Sequence, residues 1–126
     1  MTPAIEHDEL KLLVEVGMLA ATRGEITATK TIFAAIECVR PDSAASYAGP
    51  ALAYLFRGRA ADALEYLQRG LRAVASEEQP PLQALLGLAL QVDARNAESL
   101  QALRTAGDHP MAAALRAKAS PLQPGL

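Results

Sequence analysis

Val16-Gly17-Met18-Leu19-Ala20, followed by Gly24, Phe33 and Pro41, is answered 34 residues later by Pro50-Ala51-Leu52-Ala53-Tyr54, followed by Gly58 and Leu67. In each copy a small residue (Gly17, Ala51) stands seven positions before a glycine (Gly24, Gly58). A large apolar residue (Phe33, Leu67) stands nine positions after that glycine. A self-similarity of this period marks paired helices stacked as repeats, because one such unit cannot bury its apolar face alone. Two helices that cross closely need small residues at the contact and large ones to fill the gaps beside it. The glycine lets the chain reverse through a left-handed backbone conformation. Pro41 closes the first copy by forcing the residue before it out of the helical region.

Outward from this core the chain reads as a succession of helices. Asp8 is a candidate cap for a first helix over about Glu9 to Arg23, whose apolar residues (Leu10, Leu12, Leu13, Val14, Val16, Met18, Leu19) are too dense for one face. A second helix over Ile26 to Val39 carries Ile32, Phe33, Ile36 and Val39 at spacings of three and four. Asp42 or Ser43 caps a third helix ending near Arg57, in which Pro50 predicts a kink or a late start. The fourth helix covers Ala60 to Val74. After the polar break at residues 76–81 a fifth opens at Pro81 or Leu82 and runs to about Val92, and a sixth covers about Ala94 to Ala106. If Gly87 answers Gly17 and Ala51, this third copy is shifted by two residues and uses Ala94 where the others have a turn glycine. Met111 to Ala119 reads as a short final helix.

Composition narrows the function. The chain has 126 residues, 51% hydrophobic but only 4% aromatic, with net charge −2 and a pI near 5.6. That is one small domain of closely packed Ala, Leu and Val, with no electrostatic footprint for nucleic acid. No apolar run approaches the ~20 residues that span a bilayer. The acidic N-terminus has no secretory h-region, so a cytoplasmic location is expected. The single cysteine, Cys38, sits beside Ile36 and Val39 and is expected to be a buried structural thiol. His7 and His109 lack ligand spacing, and no paired cysteines, metal-site grouping or glycine-rich phosphate cradle is present. Glu15, Glu37, Glu65 and Asp93 read as solvated helix faces. The chain is therefore read as a non-enzyme with no catalytic residue, no metal and no cofactor.

The spacing resembles the tetratricopeptide repeat. Counted from Leu10 and from Ala44, Gly17 and Ala51 stand at its small position eight, Tyr54 at its large position eleven, Ala63 and loosely Thr29 at its small position twenty, and Pro41 at its closing proline. Ala20 departs from the large position, and Ala75 and Gly70 depart from the family's proline and alanine. The resemblance covers about residues 10–77 well. It implies an all-α, right-handed α-solenoid of about three degenerate helix-turn-helix repeats (about 10–43, 44–77 and 80–110) plus a short C-terminal helix. A flexible lead over 1–8 and a tail over 120–126 flank the single domain 9–119.

In that family the first helix of each repeat lines a concave groove. Carried over by position, the groove residues are Val14, Met18 and Ala21, with Lys11 and Thr22; Leu52, Leu55 and Phe56, with Ala45 and Ala48; and Leu88 and Val92, with Pro81, Ala84 and Gln91. This set is apolar, which suits an amphipathic helix and disfavours an acidic-tail clamp. A small, acidic protein of three loose repeats is similar to the chaperones of bacterial type III secretion, in particular those that hold the needle subunit. The resemblance implies a protein partner, the helix of a secreted subunit kept from premature polymerisation, with a small cochaperone beside it. It implies neither nucleic acid nor a membrane span. Two other readings stay open: a general repeat adaptor or self-associating scaffold, in which a homodimer replaces the client, and a remnant enzyme-associated or regulatory helical domain with a small-molecule ligand.

Overall fold

The computed structural model describes residues 6–119; the remainder of the predicted lead and the whole predicted tail lie outside them. Among the described residues the chain is all-helical. The elements are α1 (His7–Thr22), α2 (Ile26–Val39), α3 (Ala45–Phe56), α4 (Ala60–Ala73), α5 (Gln79–Val92), α6 (Asn96–Ala106) and α7 (Pro110–Ala119), with one turn of 3₁₀ helix at Ser76–Glu78.

Three equivalent turns set the frame. Gly24, Gly58 and Ala94 adopt φ of +68°, +73° and +61°. At each, the left-handed residue donates its N–H to the carbonyl three positions back, and the next residue reaches five back. The longer bonds are Glu25 to Ala20 (3.0 Å), Arg59 to Tyr54 (2.8 Å) and Arg95 to Leu90 (2.8 Å). These bonds satisfy the last carbonyls of α1, α3 and α5 and start the following helix at once. Ala94 thus takes the glycine's place, as the two-residue shift predicts.

Several boundaries differ from the sequence reading, each for a local reason. α1 begins at His7, so Asp8 lies inside the helix rather than at its cap or in a lead. Glu6 is the capping residue, and its N–H donates to the Glu9 carboxylate at 3.0 Å. α5 begins at Gln79, with Pro80 and Pro81 in its first turn, where a missing N–H costs nothing. α6 begins at Asn96 because the turn uses Ala94. α3 starts at Ala45 and continues through Pro50, which removes only the bond to the Ser46 carbonyl. Its start is held by Ser43 Oγ, which accepts the Ala45 N–H at 3.3 Å. The Glu78 carboxylate, 34 residues on, accepts the Ala44 N–H at 3.0 Å.

Packing follows a fixed order. Each helix packs on the next; α1 also packs on α3, α3 on α5 and α5 on α7, whereas α2, α4 and α6 do not pack on one another. Within each pair the small residue meets the large one sixteen positions later. A Cβ at Gly17 would stand 2.7 Å from the Phe33 ring, Ala51 and Leu67 are both fully buried, and a Cβ at Gly87 would collide with Leu103. Phe33 also fills the space beside Gly49, so one ring joins α1, α2 and α3. Thr29, Ala63 and Ser99, again equivalent, are all fully buried. The two hydroxyls are satisfied by the carbonyls of Glu25 and Gly87, each at 2.7 Å. Cys38 is exposed rather than buried: it stands two residues after Ile36, on nearly the opposite side of α2 from Phe33 and Ile36.

Candidate partner-binding surface

α3 exposes one face. Ala45, Ala48, Leu52 and Leu55 are half-buried and Phe56 is 57% exposed, while every other residue of the helix is buried. The spacing of three and four gathers these five on one side. α5 repeats the arrangement with Pro81, Leu88 and Gln91 half-buried and Val92 55% exposed, and α1 contributes half-buried Val14 and Met18 beside exposed Lys11 and Thr22. Since α1, α3 and α5 pack side by side, equivalent positions fall in adjacent rows. Leu52, Leu55 and Leu88 rest with one side on the main core cluster, and Val14 and Met18 on the cluster of Leu10, Phe33 and Ile36. They are core on one flank and surface on the other. Ala21 and Ala84 are fully buried and present no surface; Ala21 shares the buried side of α1 with Leu10 and Gly17. α7 packs on α5 and α6 and on neither α1 nor α3; its Ala112 and Leu115 cluster with Ala84, so it covers the row at Ala84 on α5 and does not reach the α1 and α3 part. Arg116 fixes it there by donating to the carbonyls of Leu103 (2.6 Å) and Gly107 (3.0 Å).

A cleft lies elsewhere. A cleft of about 500 Å³ runs between α4 and α6 over α5, with Leu86, Leu90 and Ala102 among its apolar residues and Gln68, Gln83, Gln101 and Thr105 among its polar ones. At one end Arg95 binds Glu98 through two bonds of 2.8 Å, and these bonds hold the Glu98 carboxyl below its ordinary pKa. The equivalent space one repeat earlier, between α2 and α4 over α3, is occupied. Tyr47, Tyr54 and Tyr66 stand where Gln83, Leu90 and Ala102 stand in the open cleft. The Lys30 ammonium lies 5.9 and 5.8 Å from the centres of the Tyr54 and Tyr66 rings. Arg59 and Arg69 cover the same two rings at 5.1 and 5.0 Å. The sequence reading missed the open cleft; the exchange of three tyrosines for Gln, Leu and Ala at a shift of 36 is the signal that marks it.

The chain matches no protein-family model, no curated protein and no solved structure. Among the described residues no group of three or more His, Cys, Asp or Glu side chains is placed to hold a metal ion. No described helix is long and apolar enough to cross a membrane. What the surface offers is apolar area in a defined pattern.

Proposed function

We propose that the chain is a non-catalytic protein-binding module that holds an amphipathic helix of a partner against the face of α1, α3 and α5. The observation that carries this reading is the pairing of Phe56 and Val92, each more than half exposed, at equivalent positions of neighbouring helices, with half-buried Leu52, Leu55 and Leu88 beside them. An apolar row of this kind matches anchors at helical spacing. The order of helix contacts supports stacked tetratricopeptide-like repeats as the scaffold. Length, repeat number, acidity and groove character support a cytoplasmic chaperone of the type III secretion class, with the helix of a secreted subunit as client. Covering ~600 Å² of apolar surface at ~25 cal/mol/Å² would yield on the order of 15 kcal/mol gross, much of it offset by the cost of ordering the partner, and would remove from solvent the helix through which the client self-assembles.

The test uses a photo-crosslinking residue at Phe56 or Val92, with Gln101 on α6 as the control site, and mass spectrometry of the adducts. A single helical segment crosslinked from Phe56 and Val92 but not from Gln101 is the expected result. Phe56→Asp, at an exposed position, should weaken that capture by about a hundredfold, because a buried lone carboxylate replaces an apolar anchor. Unchanged capture by Phe56→Asp would overturn the assignment of this face, and crosslinks only to a second copy of the chain would replace the client reading with a scaffold reading.

A further inference from the structure

The face of α1 that carries Leu12, Val16 and Leu19 is distinct from the partner-binding row. These three side chains are 60%, 47% and 54% exposed. Their equivalents in α3, Ser46, Pro50 and Ala53, are buried, and those in α5 are buried Leu82, half-buried Leu86 and buried Ala89. In α3 and α5 this side meets the preceding helix pair: α3 packs on α1 and α2, α5 packs on α3 and α4, and the space beside Gly49 is filled by Phe33 of α2. α1 therefore carries a stacking face, in larger apolar residues than its equivalents in α3, that no described residue covers.

The charges at its ends say what covers it. Glu9, Leu12, Val16, Leu19 and Arg23 follow spacings of three, four, three and four, the seam of a two-helix contact, and all five are exposed. The acid stands at one end and the base at the other. A parallel pairing of two such helices sets Glu9 against Glu9 and Arg23 against Arg23. An antiparallel pairing centred on Val16 sets Glu9, with Asp8 beside it, against Arg23 at both ends. We propose that α1 of one copy pairs antiparallel with α1 of a second copy about a two-fold axis at Val16, with Leu12 and Leu19 packed across it. The patch is self-complementary, as a two-fold interface requires. Glu15 is the like charge nearest the axis; it points to the side of the seam, where solvent and salt screen it. Val14 and Met18 lie on the other exposed side of α1, so the dimer presents two partner-binding faces.

The test is sedimentation equilibrium of the full chain with circular dichroism of each variant. The native chain should sediment at twice its 13.3 kDa mass. Val16→Asp should retain the helical spectrum and weaken association by about a hundredfold. Glu9→Arg chains and Arg23→Glu chains should each associate at least tenfold more weakly than the native chain and should form a mixed dimer when combined, since the charges then match again at both ends. Phe56→Asp should leave the dimer intact, which separates failure of this contact from failure of the partner face. A native chain that stays monomeric at about 0.1 mM, a Val16→Asp chain that dimerises as tightly as the native one, or a mixture that fails to associate would each overturn the assignment.

Discussion

The second repeat, α3 with α4, and the third, α5 with α6, share a turn geometry and a small-to-large contact but differ in what fills the space behind them. Behind α3 that space holds Tyr47, bonded to Glu37, and Tyr54 and Tyr66 under Lys30, Arg59 and Arg69. Behind α5 it holds Gln83, Leu90 and Ala102, and about 500 Å³ stays open. The backbone repeat therefore sets where a cleft forms, while three side chains decide whether it is filled. The largest effect comes from emptying the filled cleft. Tyr54→Ala removes a buried ring that packs at 5.9 Å from Tyr66 and lies beneath Arg59. It should cost about 3–5 kcal/mol, the range for truncating a buried aromatic. Leu90→Ala, at the wall of a cleft already open, should cost less, about 2–3 kcal/mol. Urea midpoints of the two variants check the ordering; equal losses would mean that the tyrosine cluster adds nothing beyond its area.

Tyr47 sharpens the same contrast through pH. Its hydroxyl donates to Glu37 Oε2 at 3.4 Å, whereas its counterpart Gln83 cannot titrate. Burial first, and then the Glu37 carboxylate, raise the Tyr47 phenol above its ordinary value of 10.0. The folded chain thus holds this proton more tightly than the unfolded chain does. That contribution is complete below pH 10 and is lost as the pH climbs through and past the raised value. Tyr47→Phe should cost about 0.5–1 kcal/mol near neutral pH, the worth of one long hydrogen bond. The gap between the native chain and the variant should close as the pH rises beyond about 10. A gap that widens with alkali would reverse the sign and remove Glu37 as the partner.

Much of this contrast was legible beforehand and some was not. Gly17, Gly24, Phe33 and their answers at Ala51, Gly58 and Leu67 are backbone and packing requirements that narrow the choice to a small residue, a turn residue and a large apolar residue, so spacing alone locates the helix pairs. The shift of the third repeat was legible from Gly87 for the same reason. Cys38 reads as buried because Ile36 and Val39 stand beside it in sequence, yet it shares its side of α2 with Ala34 and Ala35, which are exposed. Ala21 was placed in the partner row by a family position, yet the close approach of the helices buries it completely. The open cleft depends on what three positions lack, and a missing side chain leaves no periodic mark. In the sequence, the face of α1 that no described residue covers shows only as an excess of apolar residues. What sets it apart is that the equivalent positions are buried in α3 and buried or half-buried in α5.

The smallest effect tests the turns. Gly58 and Ala94 occupy the same left-handed position with φ of +73° and +61°, and only the second carries a Cβ. A Cβ at Gly58 would meet nothing within 4 Å, and the Ala94 side chain is exposed, so neither exchange alters packing. What remains is backbone strain, about 1–2 kcal/mol for an L residue in this region. Against it stands the extra freedom that glycine gives the unfolded chain, about 0.4–1 kcal/mol. Ala94→Gly should therefore stabilise the chain by about 0.5–1 kcal/mol, and Gly58→Ala should destabilise it by a similar amount. Because the two sites differ only in which residue nature placed there, the shifts in thermal midpoint should be opposite in sign and close in size. If both exchanges destabilise, the third turn is held by contacts that the second lacks, and the two repeats are not equivalent at their turns.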